Sequence, residues 1–182
     1  MYKKLKMLLL TVIVLLFSSF TLGCGNMFNR YIEDDDKKAE ETLQRVLDAI
    51  ENKDKDTLKT VFSKKSLNET ADMDSNIDNI FDFFQGQAGL LDEGTLGTDE
   101  SFEYGLKLKR YVYRAVVIIN QERYFFFLLE YPVDKEEPDN VGLYTLFITK
   151  EENREYFGYW QDHVYPGIVL WEPSEEDKKK QE

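Results

Sequence analysis

Cysteine and histidine are almost missing from this chain. Cys24 and His163 are the only examples among 182 residues. A zinc site takes three or four ligands, drawn mostly from these two residue types, so no metal centre is expected. A Ser-His-Asp triad would have to use His163 with Asp162 or a distant acid, and no serine stands in a G-x-S-x-G turn. No second cysteine exists to close a disulfide, so the fold must be held by its core. Gly86, Gly89, Gly94 and Gly97 are too spread out to form a phosphate loop. The sequence assigns no catalytic residue and no cofactor.

Positive charge is also short. Lysine and arginine total 23 against 35 acidic residues, a formal net charge of −12. Phosphate backbones repel such a surface, which argues against nucleic acid as a partner. Anionic lipid heads repel it too, so a polybasic patch cannot hold it to a membrane. A basic protein, a cationic peptide or divalent ions would be attracted, although solubility at a crowded cell surface is the plainer reading. The loop containing Asp134, Glu136, Glu137 and Asp139 lacks the spacing and central glycine of an EF-hand, so it reads as a solvated acidic loop.

What the chain does have begins with its first 24 residues. Lys3, Lys4 and Lys6 form a basic head. Met7 to Leu22 is an apolar run broken only by Thr11, Ser18, Ser19 and Thr21, and it exits at Gly23-Cys24. These are the three parts of a secretory signal. Thr21-Leu22-Gly23-Cys24 resembles the lipobox of bacterial lipoproteins, which implies cleavage after Gly23 and lipidation of Cys24. The alternative is an uncleaved anchor, because no charge appears between Lys6 and Arg30 and a hydrocarbon core is about 30 Å thick. Both readings put the remainder outside the cytoplasm on the cell membrane. Two acyl chains suffice for stable attachment. Cleavage would remove three lysines, leaving 20 basic residues against 35 acidic and a charge of −15.

Beyond the leader, residues 24–36 read as a tether, with Asp34-Asp35-Asp36 poised at a helix start. Ala39, Leu43, Val46, Leu47 and Ile50 recur at three- and four-residue spacing, predicting an amphipathic helix over 37–52. A second short helix is expected around Leu58, Val61 and Phe62, capped by Asp56. Residues 63–75 read as a polar connection. A third helix is expected around Ile77, Ile80, Phe81, Phe83 and Phe84, capped by Asp74 or Ser75 and stopped at Gly86. Residues 89–105 read as turns with at most a short strand. Residues 106–120, 124–131 and 141–149 alternate as strands of an antiparallel meander, and 168–170 suggests a final strand. Residues 173–182 form a charged tail.

Helices first and strands later is the α+β pattern, with the helices on one face of a curved antiparallel sheet. Phe125, Phe127 and Leu129 point to one face of the middle strand and Phe126 and Leu128 to the other. That strand is therefore central, with helices on one side and a concave surface or second layer on the other.

Four segments carry a family resemblance: residues 50–63 (IENKDKDTLKTVFS), 78–86 (DNIFDFFQG), 133–145 (VDKEEPDNVGLYT) and 165–168 (YPGI). The first resembles the opening of NTF2-like (cystatin-like) α+β cone domains. Together they resemble the DUF5104 lipoproteins of Gram-positive bacteria, with Pro138 to Tyr144 as the most specific part. The resemblance implies an NTF2-like cone over roughly 37–172 and an extracytoplasmic location. It implies no activity.

The candidate pocket or partner surface is Tyr111, Tyr113 and Tyr124 on the strands, with Tyr159, Trp160, His163 and Tyr165 from the late aromatic stretch. That stretch, with Tyr156, Phe157 and Trp171, either lines an open cone or completes the core. Three functions follow: a non-catalytic module binding a small molecule or protein, a pocket enzyme of isomerase or dehydratase type, or a surface interaction protein of immunity type.

Overall fold

The computed structural model describes residues 24–159 and 164–174, with the backbone alone for residues 24–33, 156 and 158–159. The chain divides into two compact units, residues 1–38 and 39–182. The leader, Trp160, His163 and the end of the tail lie outside the described residues. Among the described residues no helix is long and apolar enough to cross a membrane.

The first helix, α1, runs Cys24–Glu51. It begins well before the expected start at residue 37 and takes in the segment read as a tether. The reason is local: from Asn26 to Glu51 there is neither glycine nor proline to stop it. In the second unit its apolar stripe, from Ala39 to Ile50, is buried as the spacing predicts.

Helix α2 (Lys55–Val61) is capped by Asp54 and not by Asp56. The Thr57 backbone N–H donates to Asp54 Oδ1 at 2.9 Å and the Thr57 hydroxyl to Oδ2 at 2.6 Å. Those two bonds hold the Asp54 carboxyl below its ordinary range. The expected polar connection contains a further helix, α3 (Lys64–Glu69), capped by Ser63. Helix α4 (Met73–Phe84) starts ahead of the expected caps, because Met73 is buried. It ends on Gln85 and Gly86, both at positive φ. Asp74 and Asp78, two carboxylates on one face of α4, are met by Lys59 and Lys55 of α2.

Five strands follow in the order β1-β2-β3-β4-β5. They are β1 (Gly89–Glu103), β2 (Leu106–Ile119), β3 (Glu122–Asp134), β4 (Gly142–Lys150) and β5 (Gly167–Leu170). The first four are antiparallel and β5 lies parallel to β4. This is the expected α+β fold with β3 in the middle. The largest difference is β1. A glycine-rich, mostly exposed stretch forms a 15-residue edge strand because it pairs with β2 along its whole length. Composition cannot register a partner of that kind. The tight turns at Tyr104-Gly105 and Asn120-Gln121 both have positive φ at each central residue, the twist that hairpins favour.

The sheet has two apolar faces. On one, Tyr111, Tyr113, Ala115 and Val117 of β2, Tyr124, Phe126 and Leu128 of β3, and Leu143, Leu146 and Ile148 of β4 share a core with the helices. On the other, Phe125, Phe127 and Leu129 cluster with Phe147 and Phe157. Burying each such ring contributes about 2 kcal/mol before entropy.

Candidate ligand groove on the open face of the sheet

Among the described residues the second face is covered only in part. A 3-10 segment, Glu151–Tyr159, follows β4. Its Phe157 drops onto the sheet, with ring centroids 5.2, 4.6 and 5.0 Å from those of Phe125, Phe127 and Phe147. Trp171 packs beside Phe147 at 6.1 Å. These two members of the late aromatic stretch complete a core. Towards the other end of the strands the face opens into a groove of about 790 Å³, within the size range of small-molecule sites.

Strand alternation builds the groove floor. Arg110, Val112 and Arg114 of β2 stand on the opposite face from Tyr111 and Tyr113, beside Phe127 and Leu129 of β3. Gly97 of β1 lies opposite Val112. A Cβ on Gly97 would meet nothing closer than 3.7 Å, so its missing side chain is what leaves that side of the floor open.

A knot of hydrogen bonds around α3 builds the end wall. The Ser63 N–H donates to the Leu143 carbonyl at 2.8 Å, making a bridge between Phe62 and Leu143. Gly142 permits this approach. Its φ is +118°, and a Cβ there would lie 3.0 Å from the Ser63 nitrogen. Ser66 Oγ donates to the Tyr144 carbonyl at 2.9 Å, and Thr70 Oγ1 to the Pro166 carbonyl at 3.1 Å. Thr145 Oγ1 donates to the Tyr165 carbonyl at 2.6 Å. The loop after β3 is ordered by Asp134. Its Oδ1 accepts from the N–H groups of Glu136 and Glu137 at 3.1 and 2.8 Å, and its Oδ2 from Asn140 Nδ2 at 2.9 Å. The loop is therefore more than a solvated acidic stretch, since Asp134 and Asn140 are buried within it.

The charges in the groove are mostly paired. Arg110 Nε donates to Asp99 Oδ2 at 3.1 Å, and this contact raises the Arg110 pKa further above its ordinary value. Lys65 Nζ lies 2.6 Å from Glu137 Oε2, which raises the lysine pKa. Arg114 is different. Its guanidinium sits 5.8 Å from the centre of the Phe127 ring, and among the described residues it forms no ion pair. Tyr131 and Tyr144 meet edge-to-face at 5.7 Å. Burial, the largest cause, raises the Tyr144 pKa.

The structure scatters the candidate residues. Tyr111, Tyr113 and Tyr124 lie under the helices, buried on the face opposite the groove. Tyr124 donates to Glu122 Oε2 at 2.8 Å, and burial with that contact pushes its pKa up to about 12. Tyr165 is exposed and stands next to Val164, which lines the groove. Tyr159 ends the 3-10 segment and only its backbone is described, while Trp160 and His163 fall outside the described residues. Cys24 is the first residue of α1, again with its backbone alone described. Sequence reasoning missed Arg110, Val112 and Arg114. The signal was present: two arginines four apart in an apolar strand of an acidic chain must share one face.

The model of a domain of unknown function, DUF5104, matches residues 45–151. The chain belongs to the DUF5104 family. No curated protein matches it. The matched span runs from α1 to the start of the 3-10 segment, so the groove floor and most of the end wall are DUF5104 structure. The family-like segments 50–63, 133–145 and 165–168 converge in that wall. Phe62-Ser63 docks on Gly142-Leu143, and the carbonyls of Tyr165 and Pro166 dock on Thr145 and Thr70.

Proposed function

We propose that this DUF5104 domain is a non-catalytic binding module, held on the extracytoplasmic face of the cell membrane by lipid on Cys24, with its ligand in the groove. The groove itself is the observation that carries the reading. It combines apolar and aromatic side chains on its floor with a set of charged groups mostly paired to one another, beside an end wall tied by hydrogen bonds, in a volume typical of a small-molecule site. Its one deeply buried carboxylate, Asp134, is occupied by two backbone N–H groups and an amide, which suits a structural role better than proton transfer. The carboxylate whose pKa burial raises, Glu130, stands on the helix-packed face beside Thr42. It is therefore not available to a ligand in the groove.

Two experiments test the two halves. Metabolic labelling with a fatty-acid analogue should tag the full chain, and Cys24→Ala should abolish the tag and leave precursor. A labelled Cys24→Ala protein processed at the same site would overturn the lipid anchor. For the groove, Gly97→Val should reduce binding of small aromatic probes to the full chain. Unchanged binding in a folded Gly97→Val protein would remove the groove as the site.

A further inference from the structure

Charge inside the groove selects among ligands. Of its cations, Arg110 is held by Asp99 and Lys65 by Glu137. Asp134 is consumed by its own loop. Arg114 remains, half-buried over the Phe127 ring, with no ion pair among the described residues. A guanidinium in that position presents a planar fork of donors that matches a carboxylate. Around it lie Val112, Phe127 and Leu129 as an apolar bed. Gly97 leaves space beside them.

We propose that the groove recognises a small amphipathic monocarboxylate, with its carboxylate on Arg114 and its apolar or aromatic body over Val112, Phe127 and Leu129. This rests on the reading of the groove as a ligand site and specifies the ligand's chemistry. One available cation balances one negative charge. Glu136, which forms no ion pair among the described residues, borders the same groove and disfavours a dianion such as a phosphate monoester, since like charges at short range repel. The partly dry setting strengthens the pair relative to an exposed one.

The test compares 3-phenylpropionate with 3-phenylpropan-1-ol by calorimetry on the full chain in nanodiscs, with empty nanodiscs as the blank. The acid should bind at least about tenfold more tightly than the alcohol, the difference a charge-assisted hydrogen bond supplies. Arg114→Gln should erase that preference, Arg114→Lys should keep part of it, and Gly97→Val should weaken both probes. Equal binding of acid and alcohol, both weakened by Gly97→Val, would overturn carboxylate recognition and leave the groove as the site. No binding of either probe, or binding indifferent to Gly97→Val, would overturn both. The wild-type comparison needs no variant, so misfolding of Arg114→Gln cannot obscure the answer.

Discussion

The two faces of the sheet are built from the same strands and end differently. On the helix side, α1 and α4 seal the surface, and Phe126, Leu146 and Ile148 lose all contact with solvent. On the other side, among the described residues, Phe157 of the 3-10 segment and Trp171 cover one half and leave the rest open. Both faces carry apolar clusters along β3, so hydrophobicity alone does not decide which becomes a site. What decides is how much covering chain reaches each face. A sealed face serves stability, while a half-covered face keeps apolar and cationic groups within a ligand's reach.

The sharpest way to break this contrast is to truncate one ring on each face. Phe126→Ala should cost about 3–5 kcal/mol, since the helices cannot collapse into the hole. Phe127→Ala should cost nearer the lower end of that range, because the groove beside it gives the neighbours room to relax. Chemical denaturation of both variants checks this, and equal losses would mean that the faces are sealed alike.

Gly142→Ala tests the end wall. It forces an L side chain to φ +118° and against the Ser63 backbone, so about 1–3 kcal/mol should be lost. Probe binding should fall with it if the wall shapes the groove. Unfolding and calorimetric measurements read the two effects separately.

A pH series separates a carboxylate shifted by burial from carboxylates shifted by their partners. Burial, the first cause, raises the Glu130 pKa, while Thr42 and Arg45 oppose the shift. The folded state therefore holds this proton more tightly than the unfolded chain does. The resulting stabilisation is fully present below the ordinary glutamate pKa and is lost as pH rises through the folded value. Glu122 and Glu151 behave in the opposite sense. Tyr124 and Arg123 respectively, their largest causes, lower their pKa values, so their stabilisation is lost as pH falls through the folded values. Glu130→Gln should raise stability at neutral pH and flatten the curve just above the usual glutamate range. A curve unchanged in shape would show that Glu130 is solvated in solution.

The smallest effect belongs to Gly97→Val. The backbone there is ordinary strand and an added Cβ makes only ordinary van der Waals contact with Val112, so stability should shift by no more than about 0.5 kcal/mol. A melting curve checks this, and a near-zero shift is what makes the variant a clean probe of binding.

Helix stripes and strand alternation were legible because they are local periodicities. The apolar positions of α1 and the two-sided burial of Phe125 to Leu129 both followed from spacing alone. Three features were not legible. The length of β1 depended on β2, whose pairing makes a strand of glycines and acids. Helix α3 depended on Ser63 acting as its cap and on Ser66 reaching the Tyr144 carbonyl, 78 residues away. The site depended on which face the helices chose. Tyrosines drew attention as polar aromatics, yet their positions fell on the covered side and left the arginines in the groove.

The sequence by itself determined the class of fold, the two-faced central strand and the family, because burial periodicity and short motifs are properties of neighbours along the chain. Only the tertiary structure decided which face is closed. That outcome rests on long-range docking: Ser63 on Leu143, Thr70 on Pro166 and Phe157 on the open face. No local pattern encodes where a distant segment comes to rest.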